Sequence, residues 1–179
     1  MDLYFGPVRL NEELEGILQL QKRNFPHGLS LEEKQKEGFV TVSHTLELLQ
    51  RMNSSCPHII AKDGDQVVGY VLCMHPKFAN EIPILRPMFQ EIDTIRPKKE
   101  RYIIMGQVCI DKDYRKRGIF RKLYETMMHA IEPEFHSIIT EVDVANTRSL
   151  QAHYAVGFKN LKKYLSEGQE WCLLILNGI

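Results

Sequence analysis

Apolar residues along the chain switch repeatedly between a two-residue and a 3.6-residue period, and the switches divide it into short strands and helices. Residues 4–10 read as a first strand. Asn11 then caps a helix carrying Leu14, Ile17, Leu18 and Gln21, which Pro26-His27-Gly28 ends. Ser30-Leu31-Glu32-Glu33 reads as a capping box opening a second short helix, and residues 45–52 predict another. Between 59 and 73 two apolar strands flank Asp63-Gly64, a hairpin signal that makes the pair antiparallel. From His75 to Lys99 four prolines break up the apolar positions Ile82, Ile84, Leu85, Met88, Phe89 and Ile92, implying an ordered excursion with one helix. Residues 101–111 form a long strand, with Gly106 inside it where a bulge or a close backbone approach is expected. An amphipathic helix over 118–131, stopped by Pro133, leads to a strand over 136–144. A helix over 146–157 follows, between an Asn cap and a Gly stop, and strands over 158–165 and 170–176 close the chain. No repeat, low-complexity tract or Gly/Ser-rich linker marks a second domain, so a single α/β layer domain over 1–179 is expected.

At 179 residues the chain can bury roughly two thirds of its unfolded surface without a disulfide or structural metal. Cys56, Cys73, Cys109 and Cys172 lie far apart and form no CxxC pair, so they read as small buried hydrophobes in a reducing compartment. Lys plus Arg equals Asp plus Glu at 23 each, which removes any general attraction to nucleic acid or anionic membrane. The first six residues carry an acid and no basic flank, and no run of about 18 apolar residues occurs. A cytoplasmic location with no membrane span is therefore expected. The histidines show no metal-ligand spacing and there is no HExxH, so no metal is expected.

Candidate chemistry concentrates where the strand over 101–111 ends. A polar turn there runs through Arg115, Lys116 and Arg117 and then Gly118 into a helix, with Arg121 and Lys122 following. Unpaired N–H groups and the positive helix end converge at such a junction, and the basic side chains add charge, which suits a phosphate. A solvated basic face is the plain alternative. Neither GxxxxGK[ST] nor GxGxxG occurs, which counts against nucleotide hydrolysis and dinucleotide redox chemistry.

The segment resembles the pyrophosphate loop of the GNAT superfamily of N-acetyltransferases, Arg/Gln-x-x-Gly-x-Gly/Ala. Arg115, Lys116, Arg117, Gly118 and Ile119 match five positions, and Phe120 departs from the sixth, where a small residue is preferred. A bulky side chain there either points into the apolar face of the helix and leaves its N–H free, or crowds the phosphate. Asn146 to Phe158 is similar to the family's N-x-x-(A/S)-x-x-x-Y-x-x-x-G-F segment. The resemblance implies a mixed, mostly antiparallel α/β (α+β) sheet of six or seven strands flanked by about four helices, splayed between strands 4 and 5. It implies acetyl-CoA as co-substrate, with the main chain of Val108, Cys109 and Ile110 along the pantetheine, Arg115–Arg121 around the pyrophosphate, and Asn146 touching the coenzyme as well as capping its helix. It also implies that Tyr154, at the family's tyrosine, protonates the departing thiolate.

An attacking amine must lose a proton, and Glu141 and Asp143, sharing one strand face, are the candidate bases. Direct transfer needs no covalent enzyme intermediate, so Cys109 in its apolar strand is read as inert. The expected activity is N-acetylation of a small-molecule or peptide amine by a monomer or homodimer. A coenzyme-binding protein with little or no transferase activity is the alternative, and a nucleic-acid module using the basic run is disfavoured by the balanced charge.

Overall fold

A computed structural model describes residues 2–24, 43–96, 101–132 and 134–178. Seven strands form one sheet, β1 (Tyr4–Pro7), β2 (Ile59–Asp63), β3 (Gln66–Met74), β4 (Tyr102–Ile110), β5 (Ser137–Asp143), β6 (Lys159–Ser166) and β7 (Gln169–Asn177), in the order β1-β2-β3-β4-β5-β7-β6. Every neighbouring pair is antiparallel except β4 with β5. Five α-helices occur among the described residues: α1 (Asn11–Arg23), α2 (Leu46–Ser55), α3 (Arg86–Ile95), α4 (Ile119–Ile131) and α5 (Thr147–Val156). The helix expected from Ser30 and the stop at Pro26-His27-Gly28 lie outside the described residues.

Local chemistry explains most boundaries. Thr45 caps α2, its Oγ1 accepting from the Leu48 N–H at 3.2 Å. At α1 the expected cap is displaced: Asn11 is already helical, and the Glu13 carboxylate reaches back to the N–H groups of Arg9 (2.8 Å) and Leu10 (3.2 Å). That early start ends β1 at Pro7, short of the expected residue 10. The excursion after β3 holds two 3₁₀ turns, Pro76–Phe78 and Pro83–Leu85, before α3.

The helices cover both faces. α4 and α5 lie over a core that includes Ile59, Val71, Ile103, Ile138 and Leu174, with Leu123 and Met127 of α4 fully buried in it. Each such side chain contributes about 1.5–3 kcal/mol of burial. The opposite face takes α1 and α2 over β2 and β3, and α3 with the preceding turns over β4, β5 and β7.

One irregularity shapes the middle of the sheet. Leu72 of β3 pairs with Gln107, but Cys73 pairs with Met105, so Gly106 is an extra residue in β4. The bulge reverses the alternation of β4: Ile103 and Met105 pack on the α4 side before it, Val108 and Ile110 after it. β5 stays beside β4 for only three pairs, Tyr102 with Ser137, Ile103 with Ile138 and Ile104 with Ile139. Beyond them the two strands part.

Candidate functional site

Two cavities border the parted strands. The first, about 290 Å³, is lined by Val108, Cys109 and Ile110 of β4, by the turn and the start of α4 through Arg115, Lys116, Gly118, Ile119 and Phe120, and by the start of α5 through Asn146. The chain is bent into this shape by Lys116 and Gly118, both left-handed at φ 64° and 76°. Space around a Cβ at Gly118 is open, so the glycine answers a backbone demand and leaves room above it. The first helical bond of α4 runs from the Lys122 N–H to the Gly118 carbonyl (3.1 Å), so the N–H groups of Ile119, Phe120 and Arg121 have no acceptor within the helix. Asn146 caps α5, accepting from the Ser149 N–H at 3.1 Å. Two helix N-termini thus face one cleft, each favouring an anion.

Phe120 lines the first cavity and also reaches into the core. Its ring packs against Tyr124 and His153, with centroids 5.1 Å away in each case, on the apolar side of α4. Arg115 braces the cleft: Nε donates to the Ile110 carbonyl (3.2 Å), and the guanidinium donates to Oδ1 of Asn24 (3.1 Å) at the end of α1. Asn24 itself lines the cavity, a contact no local motif announced. Of the expected coenzyme contacts, Arg117 and Arg121 stand apart from the lining: Arg117 lies over the Tyr114 ring at 5.0 Å, and Arg121 donates to the Ala155 carbonyl. Burial pushes the Cys109 thiol up to about 12, in keeping with an inert group.

Between the cavities, Gln107 ties β4 to the far face. Its Oε1 accepts from Gln21 Nε2 (2.7 Å) and from the Tyr70 hydroxyl (2.6 Å), and Gln21 Nε2 also meets Nδ1 of His44 (2.9 Å). Burial drives His44 down to about 4, so its ring is neutral and can accept.

The second cavity, about 390 Å³, lies on the α3 side. Its floor is Ile104, Met105 and Gly106 of β4 with Thr140 and Glu141 of β5, and its sides are the start of α3 and the β6–β7 turn. The Glu141 carboxylate accepts a hydrogen bond from the Tyr164 hydroxyl. Desolvation raises Glu141 to about 7, the Tyr164 bond acting in the opposite direction. Beyond Tyr164, Lys162 and Glu91 pair with each other. Asp143 is placed differently: its carboxylate holds the Ala145 N–H (2.8 Å) and the Gln169 amide, and it does not line either cavity.

Tyr154 also stands apart. Its hydroxyl donates to Oδ1 of Asn160 (2.7 Å), on the α5 side of the sheet, and it is absent from both linings. Counting explains the placement. The tyrosine of N-x-x-(A/S)-x-x-x-Y-x-x-x-G-F falls four residues before the glycine, which here is His153; Tyr154 is one residue later, about 100° around the helix. His153 is buried, with Nδ1 against the Ser149 carbonyl (2.7 Å) and Nε2 against the Tyr124 hydroxyl (2.8 Å). Desolvation lowers it to about 4.

Among the described residues no group of three His, Cys, Asp or Glu side chains could hold a metal ion, and no helix is long and apolar enough to cross a membrane. The model of the acetyltransferase (GNAT) family matches residues 14–158. Comparison with curated protein sequences finds no match. Among solved structures the chain is similar to a chain of the NatC complex bound to Gag peptide and CoA, at 18% identity and TM-score 0.68 with 99% of each chain covered. It is also similar to Ard1 from Thermoplasma volcanium, at 12% identity and TM-score 0.67 over 100% of this chain and 99% of that one. Arabidopsis thaliana NAA60 in complex with acetyl-CoA is similar at 18% identity and TM-score 0.66, over 98% of this chain and 99% of that one. At these identities the likeness is one of fold.

Proposed function

Because the chain belongs to the acetyltransferase (GNAT) family, we propose that it moves the acetyl group of acetyl-CoA onto a primary amine by direct attack on the thioester. The observation that carries this reading is the convergence of the α4 and α5 N-termini on a cleft that opens where β4 leaves β5. The unpaired N–H groups of Ile119, Phe120 and Arg121, with Lys116 and Arg115 beside them, suit a diphosphate. The stretch Val108–Ile110 has no β5 partner on its open edge, so its backbone suits the amides of the pantetheine arm. An N–H on the same edge, aimed at the thioester oxygen, stabilises the charge that develops there.

The acceptor reaches the thioester from the second cavity in this reading. Glu141 stands on that cavity's floor, and a carboxyl near 7 matches the working pH of a general base. The nitrogen forms its bond to the carbonyl carbon as the carbon–sulfur bond breaks, Glu141 takes the ammonium proton, and an amide and the coenzyme thiol result. A thiol ionises near 8.5, so the departing thiolate is a good leaving group that water can protonate. We therefore assign the proton transfer to Glu141 and leave Asp143 and Tyr154 with the contacts described above. Incubation with acetyl-CoA and a panel of amines, following free thiol and the mass of the product, tests the proposal. Tight coenzyme binding with no thiol release for any amine would make the chain a coenzyme-binding protein instead.

A further inference from the structure

Resting on that acetyl-transfer reading, we infer that the second cavity selects a primary amine whose substituent is apolar, in preference to a polyamine or an amino sugar. The two walls of the cavity differ. The wall built by the Pro83–Leu85 turn and the start of α3 presents Ile84, Leu85 and Pro87, with Arg86 and Gln90 as its polar members, and Trp171 continues the apolar surface from the sheet. Ile84 is 59% exposed, so more than half of a large aliphatic residue in this lining is open to solvent. An apolar group on the acceptor would cover it. The opposite wall, Ser166, Glu167 and Gln169 of the β6–β7 turn, is polar and leaves room for the solvated part of the molecule.

The lining weighs against the alternatives. The floor holds one carboxyl, Glu141, already bonded to Tyr164 and assigned to the reacting nitrogen. A polyamine's second ammonium finds only Glu167 in the lining, with Arg86 also there to repel it. An amino sugar would press some of its hydroxyl groups against Ile84, Leu85 and Pro87, and an unpaired polar group in such a place weighs against binding.

The test is a homologous series, propylamine to hexylamine, alongside spermidine and glucosamine, with thiol release read as kcat/KM. The expected result is a rise of about fourfold per methylene, the contribution of one buried CH₂, until the wall is filled, with hexylamine well above spermidine and glucosamine. Two tetrapeptides, one beginning with Met and one with Ser, identify the source: a Met-first peptide above hexylamine points to a chain terminus, and the reverse to a free amine. A flat series, or spermidine or glucosamine as the best acceptor, overturns the inference while acetyl transfer stands. No thiol release with any amine overturns both. Ile84→Asp, a change at an exposed side chain, should abolish the chain-length slope while coenzyme affinity measured by calorimetry stays the same; an unchanged slope counts against the wall.

Discussion

Glu141→Gln separates the chemistry of the second cavity from its packing. The folded protein raises this carboxyl from an ordinary 4.5 to about 7, so it holds the proton more tightly than the unfolded chain does. A raised carboxyl contributes stability that is fully present below about 4.5 and is lost as pH rises through about 7. At about 1.4 kcal/mol per unit, the 2.5-unit rise makes ionised Glu141 cost about 3 kcal/mol. Glutamine keeps the shape and never ionises. The variant should therefore match the wild type at pH 4.5 and exceed it by about 3 kcal/mol at pH 8.5, roughly 6–12 °C in Tm for a chain of this size. Acetyl transfer should move the other way, falling about 10²- to 10⁴-fold for a lost general base. Thermal melts across this range, paired with thiol release, measure both. A variant with the same pH dependence of Tm as the wild type refutes the desolvated carboxyl, and a stabilised variant with full turnover refutes its role as base.

Other expectations follow from single contacts. Tyr164→Phe removes the hydroxyl that holds Glu141 ionised, so the acid limb of the kcat/KM profile should move to higher pH; a profile that only drops in height would limit Tyr164 to packing. Gly118→Asp places a side chain at φ 76° with open space around it, costing about 1–2 kcal/mol of stability. Its carboxylate should also weaken coenzyme A binding at least tenfold by calorimetry, the deficit shrinking as salt is raised. Tyr154→Phe should leave turnover within about threefold, since protonation of a good leaving group by a remote acid adds little, and a hundredfold loss would restore the phenol as general acid. His44, His58 and His153 are lowered to about 4, 3 and 4 by burial, so their stability contribution is present above about 6.5 and is lost as pH falls toward those values. Urea unfolding at pH 7 and pH 4.5 should show that fall.

Local signals carried much of the architecture. Asp63-Gly64 fixed the β2–β3 hairpin, the period of Ile119, Leu123 and Met127 fixed α4, and Gly106 marked the bulge. The position of β7 between β5 and β6 depends on pairing such as Glu141 with Leu173, a contact between distant segments that no window of sequence contains. The residues from the turn and the α4 start that line the first cavity were legible as a group because turn and helix start are contiguous. Glu141 and Tyr164 were not readable as a pair, because 23 residues separate them and a charged residue on a strand ordinarily faces water. Tyr154 shows the remaining hazard. A side chain one position along a helix points elsewhere, and His153 holds the inward direction.

The surplus residue at Gly106 gives the two chambers separate addresses along one strand. Under the proposed reading, substitutions at Ile104 would retune which amine is admitted, while Val108 to Ile110, whose orientation is set afresh beyond the insertion, would keep their contact with the donor. A scaffold so arranged can drift in taste without relearning its fuel, and an engineer could recast one chamber by library selection with the other left as it stands.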